Sequence, residues 1–169
     1  TERWSSAWVR YTLEAGKVAQ ASRILGRYHT VEGEIVHGHA RGRELGFPTA
    51  NFASDSQGMI PADGVYAGWF TDERGNQLPA AISVGSNPTF NDIVRTVEAH
   101  IFDRPDGEVL EDFNLYGQHC AVEFVARLRG MKAFTGIDDL IEQMDADVGQ
   151  AGEILSGKAP EIDAPQPRR

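Results

Sequence analysis

Four residues, Pro48-Thr49-Ala50-Asn51, combine a stiff backbone with two short oxygen-bearing side chains. Proline fixes its own φ and pushes Phe47 toward an extended conformation, so Thr49 and Asn51 follow a rigid segment one residue apart. If that segment is extended, both oxygens point to the same side. A hydroxyl and an amide oxygen without a carboxylate suit Mg²⁺, which keeps several waters and takes phosphate oxygens as its other ligands. Just upstream, Gly38, Gly42 and Gly46 recur every four residues and leave bare backbone N–H groups that an anion can approach. The pattern reads as a phosphate cradle followed by two placed oxygen ligands, a design for a nucleotide with a divalent metal. It also reads as an ordinary proline turn whose short polar side chains bond the backbone.

A second group lies on the stretch 93–102. Val97, Ala99 and Ile101 share one parity and suit a core, while Thr96, Glu98 and His100 share the other. A carboxylate and an imidazole therefore project together. A lone carboxylate can accept a hydroxyl proton as the oxygen attacks phosphorus; the same residues could equally form a solvated polar face. Arg127, Arg129 and Lys132, followed by Phe134, form either a solvated strand end or a basic and aromatic rim. Such a rim would close over a planar ligand, with Arg129 stacking or hydrogen-bonding and Phe134 supplying apolar contact. His29, His37, His39 and His119 show no metal-site spacing. The chain has no Walker-type Gly-Lys-Ser/Thr, no dinucleotide fingerprint after a strand and no Asp-Phe-Gly.

These groups need a scaffold, and 169 residues suit one main domain with a sizeable core. Acids outnumber bases 25 to 16, for a net charge of −9, which argues against a general nucleic-acid or anionic-membrane surface while leaving room for a local basic pocket. No apolar run approaches a membrane span. The single cysteine, Cys120, opens an apolar run and reads as a core residue of a protein in a reducing cytoplasm. The start at Thr1 is read as that of a processed or excised piece.

Residues 4–26 read as two short helices broken at Gly16 and ended by Gly26, separate in character from the rest of the chain. Strands are expected at 31–36, 65–70, 78–84, 93–102 and 121–128, with 65–70 and 78–84 forming a hairpin about the turn 72–76. The long aperiodic segment 37–63 reads as a binding loop, 85–90 as a second rigid loop and 104–107 as a turn. Strands joined by turns favour an antiparallel sheet or small barrel. Ile137, Leu140, Ile141, Met144, Val148, Ala151 and Leu155 mark a helix whose stripe should cover the open side of that barrel. Thr135 with Asp138 resembles a capping box, Gly157 and Pro160 end the helix, and the tail 159–169 is expected to be disordered.

Six ordered motifs, GEIVHGHARGRELGFPTANF at 33–52, DGVYAG at 63–68, SVGSNPTF at 83–90, RTVEAHIFD at 95–103, LYG at 115–117 and LRGMKAF at 128–134, resemble the riboflavin kinase family. The likeness is to the C-terminal kinase module of bacterial bifunctional riboflavin kinase/FAD synthetases. It implies a mainly β fold: a six-stranded antiparallel Greek-key β-barrel with a long C-terminal α-helix and a short helical N-terminal extension. It divides the chain into a helical remnant or linker at 1–28, a kinase domain at 29–158 and the tail. The implied reaction moves the γ-phosphoryl of ATP to the ribityl 5′-hydroxyl of riboflavin, giving FMN and ADP. By the resemblance Glu98 is the catalytic base, and Thr49 and Asn51 hold Mg²⁺ and the phosphates. Gly38, Gly42, Arg43, Gly46 and Pro48 belong to the loop over ATP, and His100, Ile101 and Tyr116 line the nucleotide side. Arg129, Lys132 and Phe134 fall in a flap near the flavin.

The sequence departs from the family at Met131, where relatives often carry an acid, and in 103–115, which is longer than in compact relatives. Ser5-Ser6-Ala7-Trp8-Val9-Arg10 resembles the Ser-Ser-Thr-x-x-Arg element that ends the adenylyltransferase module of bifunctional members, with Ala7 in place of threonine. The body of that module is absent from the chain. The expectation is a cytoplasmic, bifunctional parent, with this chain forming FMN but not FAD and touching neither nucleic acid nor membrane. The rival is a flavin-binding barrel without catalysis, which would not require Thr49, Asn51 and Glu98 together.

Overall fold

The computed structural model of the chain describes residues 6–36, 49–88, 93–102 and 115–157. Gly38, Gly42, Arg43, Gly46 and Pro48, the turn 104–107 and the tail lie outside the described residues.

Six strands, β1 (His29–Val36), β2 (Thr49–Phe52), β3 (Gly64–Thr71), β4 (Gln77–Pro88), β5 (Ile93–Ile101) and β6 (His119–Arg129), close into a barrel in the order β1-β2-β5-β4-β3-β6. Every neighbouring pair is antiparallel. Closure follows from the pattern of side chains: alternate residues Ala50 and Phe52, Ile82 and Val84, Val97, Ala99 and Ile101, Cys120, Val122 and Phe124 all turn inward and are buried together. Tyr66 and Phe124 meet edge to face inside, with ring centroids 5.2 Å apart. Burial pushes the Cys120 thiol up to about 11, as befits a core residue. Gly68 permits β3 to approach β6, since a Cβ there would collide with the Glu123 carbonyl and Ile82.

Two strands differ from the sequence expectation. Thr49–Phe52 forms β2 inside the segment read as a loop; it is short, follows a proline and shows period 2 over only four residues. β4 runs on through Gly85–Pro88, read as a loop, because these residues pair with Thr96, Arg95, Val94 and Ile93 of β5. The hairpin turn appears as expected, closed by Asp72 Oδ1 accepting from the backbone N–H groups of Arg74 and Asn76 at 2.9 Å.

Helices α1 (Ser6–Glu14) and α2 (Val18–Leu25) end at Gly16 and Gly26, both with positive φ. They are no detached appendage: Leu13, Val18 and Ala21 join the barrel's interior cluster, and the Leu13 carbonyl accepts from Ala62 N–H. The helix α3 (Ile137–Leu155) has a different partner from the one its stripe suggested. The barrel is closed and filled, so α3 lies on its outer wall. Val148, Ala151 and Ile154 pack there against Val65, Ala67, Ala81, Val125 and Leu128. Ile137 is exposed, and the buried set of α3 includes Asp147. Gly136 caps the helix with no side-chain bond, while the Thr135 hydroxyl donates to the Asp139 carboxylate at 3.1 Å instead of forming a box with Asp138.

Candidate active site

Because one face of each strand fills the barrel, the other face must carry whatever chemistry the strands hold. Strand register sets it out in two rows on the outer wall. Val65, Ser83, Glu98 and Asn51 face one another across β3, β4, β5 and β2. The next row is Ala67, Ala81, His100 and Thr49. The expected alternation on β5 therefore holds, and Thr49 and Asn51 do share a face, with Glu98 beside Asn51 and His100 beside Thr49.

His100 connects the rows. Its Nδ1 lies 3.3 Å from Thr49 Oγ1, and its Nε2 lies 4.0 Å from Glu98 Oε2. Burial lowers its pKa to about 4, opposed in part by the Asp147 carboxylate. The ring is thus neutral at pH 7, and the 4.0 Å contact is no ion pair but a polar ring edge turned to a carboxylate. With the ring proton on Nε2, facing the carboxylate, Nδ1 accepts from the Thr49 hydroxyl.

A cavity of about 280 Å³ opens beside these rows. Val65, Ala81, Ser83, Glu98 and His100 form its strand wall; Arg129 at the end of β6 and Met131, Lys132 and Phe134 just after it form a flap; Leu140, Met144, Asp147 and Val148 close it from α3. On the helix side Leu140, Met144 and Val148 are apolar around the Arg129–Asp147 pair, and Ser83, Glu98 and His100 make the strand wall polar.

Arg129, Lys132 and Phe134, the flap residues expected near a planar ligand, line this one cavity, and Arg129 is also engaged with α3. Arg129 Nε and Nη2 donate to the two oxygens of Asp147 at 2.9 and 2.8 Å, and Nη1 donates to the Gly130 carbonyl at 3.1 Å. Asp147 is further held by Gln143 Nε2 at 3.0 Å. The guanidinium fork is committed to α3, and it ties the flap to the helix. Its carbon sits 5.9 Å from the Phe134 ring centroid, and Lys132 Nζ lies at the same distance. Arg127 leaves the rim: it is buried and donates Nη2 to the Asp63 carbonyl at 2.7 Å.

Ile101 and Tyr116 stand apart. The Ile101 side chain is 1% exposed inside the barrel, so only its backbone faces outward chemistry. Tyr116 is exposed on the 115–118 turn, whose Gly117 N–H donates to the Ile35 carbonyl, away from the cavity. Sequence reasoning passed over Ser83 and Asp147. Ser83 was visible as the outward neighbour of Ile82 and Val84. Asp147 falls at three- and four-residue spacing from Met144 and Ala151, on the very stripe read as apolar.

Among the described residues no three His, Cys, Asp or Glu side chains gather as a metal site. The hydroxyl of Thr49 and the amide oxygen of Asn51, the latter opposite the Glu98 carboxylate, are hard oxygen donors of the kind Mg²⁺ takes together with phosphate. Among the described residues no helix is long and apolar enough to cross a membrane.

The riboflavin kinase family model matches residues 25–155. A bifunctional riboflavin kinase/FMN adenylyltransferase of Haemophilus influenzae is 33% identical over 150 residues, covering 89% of this chain and 46% of that protein. Its counterpart in Bacillus subtilis is also 33% identical, with 90% and 46% covered. The chain thus spans about half the length of these relatives. The riboflavin kinase of Mus musculus is 34% identical over 127 residues, covering 73% of this chain and 78% of that one. Among solved structures, a Streptococcus pneumoniae chain described as a macrolide-efflux protein aligns with a TM-score of 0.78 at 34% identity, over 88% of this chain and 46% of that one. The riboflavin kinase of Trypanosoma brucei shares the fold, with a TM-score of 0.51 at 23% identity over 75% of this chain and 76% of that one. On the family match and these identities the chain belongs to the riboflavin kinase family, as the kind of domain that forms the C-terminal part of bifunctional riboflavin kinase/FMN adenylyltransferases.

Proposed function

We propose that the chain transfers the γ-phosphoryl group of ATP to the 5′-hydroxyl of riboflavin, releasing ADP and FMN. One observation carries the reading. Glu98 stands in register between Asn51 and Ser83, at the point where a hydroxyl and amide pair meets the polar end of an apolar cavity. We assign the flavin ring to its apolar part and the ribityl chain to its polar part, which lies beside groups suited to phosphate.

In this mechanism the Glu98 carboxylate accepts the 5′-hydroxyl proton as the oxygen attacks. The new oxygen–phosphorus bond forms as the bond to the β-phosphate oxygen breaks, and ADP leaves with that electron pair. The rigid strand wall supplies positioning, since Glu98 cannot shift without disturbing Val97 and Ala99 in the core. Neutral His100 accepts from Thr49 and fixes the direction of its hydroxyl oxygen. Thr49 and Asn51 would hold Mg²⁺, which when bound neutralises phosphate charge and orients the γ-phosphoryl for in-line attack. Gly38, Gly42, Arg43, Gly46 and Pro48 are assigned to the loop over ATP. Phe134 and Lys132 form the flavin-side rim, with Arg129 holding them. The parent protein is taken to be cytoplasmic and to carry an adenylyltransferase module.

Incubation with riboflavin, ATP and Mg²⁺, followed by separation of flavins, should yield FMN. Glu98→Gln keeps the shape and removes the base, lowering kcat by about 10² to 10⁴. Undiminished turnover in that variant refutes the assignment, and absence of FMN with the parent chain leaves a flavin-binding barrel.

A further inference from the structure

The outer row on the barrel wall runs in a single order of polarity. Val65 is apolar and lies beneath α3; Ser83 carries a hydroxyl; Glu98 carries the carboxylate proposed above as the base; Asn51 carries the amide proposed above for the phosphate side. Neighbouring strands are about 4.8 Å apart, so the row is a ruler of four positions laid across the wall. A ligand whose ring sits at the Val65 end and whose primary hydroxyl reaches Glu98 must pass its connecting chain over the position between them. That position is Ser83, which lines the same cavity as Val65 and Glu98.

Ser83 and Glu98 are directly paired in antiparallel register, which places their Cβ atoms roughly 4.5–5.5 Å apart on one face. Their flanking residues Ile82, Val84, Val97 and Ala99 are locked in the barrel interior. The Ser83 hydroxyl is therefore presented to the cavity by a wall that does not yield, and a serine both donates and accepts. We propose that Ser83 reads a secondary hydroxyl of the substrate's polyol chain and so selects a ribityl tail over a plain alkyl tail of equal length. The inference rests on the assignment of riboflavin to this cavity. It adds a specificity residue that neither takes up the proton nor holds the phosphate.

The test pairs a protein change with a ligand change. Riboflavin is compared with a flavin bearing an unbranched 5-hydroxypentyl chain at N10, which keeps the primary hydroxyl and lacks the secondary ones. Ser83→Ala should lower kcat/KM for riboflavin about 3- to 10-fold, the range of one neutral hydrogen bond, through KM and with the KM for ATP unchanged. The hydroxypentyl flavin should be used equally by both proteins, and Ser83→Thr, which keeps a hydroxyl, should restore the preference for riboflavin. Equal losses on both flavins, or none on either, overturn the proposal. Quenching of flavin fluorescence gives the same comparison without turnover. A chain that binds riboflavin selectively through Ser83 but forms no FMN refutes the kinase reading and leaves this one standing; a chain that binds neither flavin refutes both.

Discussion

The Arg129–Asp147 pair is the place where one substitution should disturb both stability and flavin handling. The Asp147 side chain is 6% exposed and that of Arg129 22%, and the two share a bidentate contact at 2.8–2.9 Å. Asp147→Asn keeps the shape but strands a largely buried guanidinium. Removing one partner of a buried pair costs about 3–5 kcal/mol. Partial solvation of Arg129 puts the expected loss at the lower end, about 3 kcal/mol. For a chain of this size that is a fall in melting temperature of roughly 6–12 °C. Replacing both partners by apolar residues, Arg129→Met with Asp147→Leu, removes the stranded charge and should return most of the stability. Function should part company from stability there. Phe134 has lost one of the two cations that lie 5.9 Å from its ring, and the tie that holds the flap to α3, so the KM for riboflavin should stay raised in the double variant while the KM for ATP stays put. Urea unfolding of the parent chain, Asp147→Asn and the double variant, with steady-state kinetics in each substrate, makes the comparison. A loss under about 1 kcal/mol in Asp147→Asn would show that the pair behaves like an ordinary surface contact. An ATP KM that rises as much as the flavin KM would refute the flap argument.

Three other outcomes are expected. Thr49→Ala should weaken binding of Mg·ATP with little effect on flavin binding, as measured by calorimetric titration of each ligand. His100 carries a pKa lowered from 6.5 to about 4, so protonation favours the unfolded chain. The part of the stability that His100 governs should be level above about pH 6.5 and be lost as pH drops toward 4. The His100 contribution is on the order of 3 kcal/mol, and His100→Gln should flatten that part of a denaturation series in pH. His29, whose pKa burial also lowers, adds to the same decline and should keep the variant's curve from becoming fully flat. Gly68→Ala drives a methyl into the Glu123 carbonyl of the neighbouring strand and should destabilise by about 2–3 kcal/mol in a urea melt, with wild-type KM values in whatever remains folded.

The strands were legible where period-2 alternation ran for long enough to be seen, as in β5, and the hairpin was legible from its Asp72 turn. β2 was hidden because four residues after a proline carry too little alternation to separate a strand from a turn. Yet the chemical reading of Thr49 and Asn51 needed only that the segment be extended, and it is. The helix α3 was legible as a helix; its partner was not. An apolar stripe says that something must be covered, and only barrel closure, a long-range property, shows that the outer wall is what remains to cover. Asp147 was missed for a related reason: a charged residue on an apolar stripe looks like an interruption until its partner, Arg129 eighteen residues away in the chain, is brought beside it. The motifs carried the family, while the role of Arg129 as an anchor between flap and helix came from geometry.

Alternation along β5 has one more consequence. A slip of one residue in its pairing would put Val97 or Ala99 where Glu98 stands and turn the carboxylate into the barrel interior. A sound core and a misplaced Glu98 therefore exclude each other, because the same register sets both. With Glu98 as the proposed base, turnover becomes a readout of strand register: the fraction of molecules that make product should track the fraction whose six strands have closed in the correct frame.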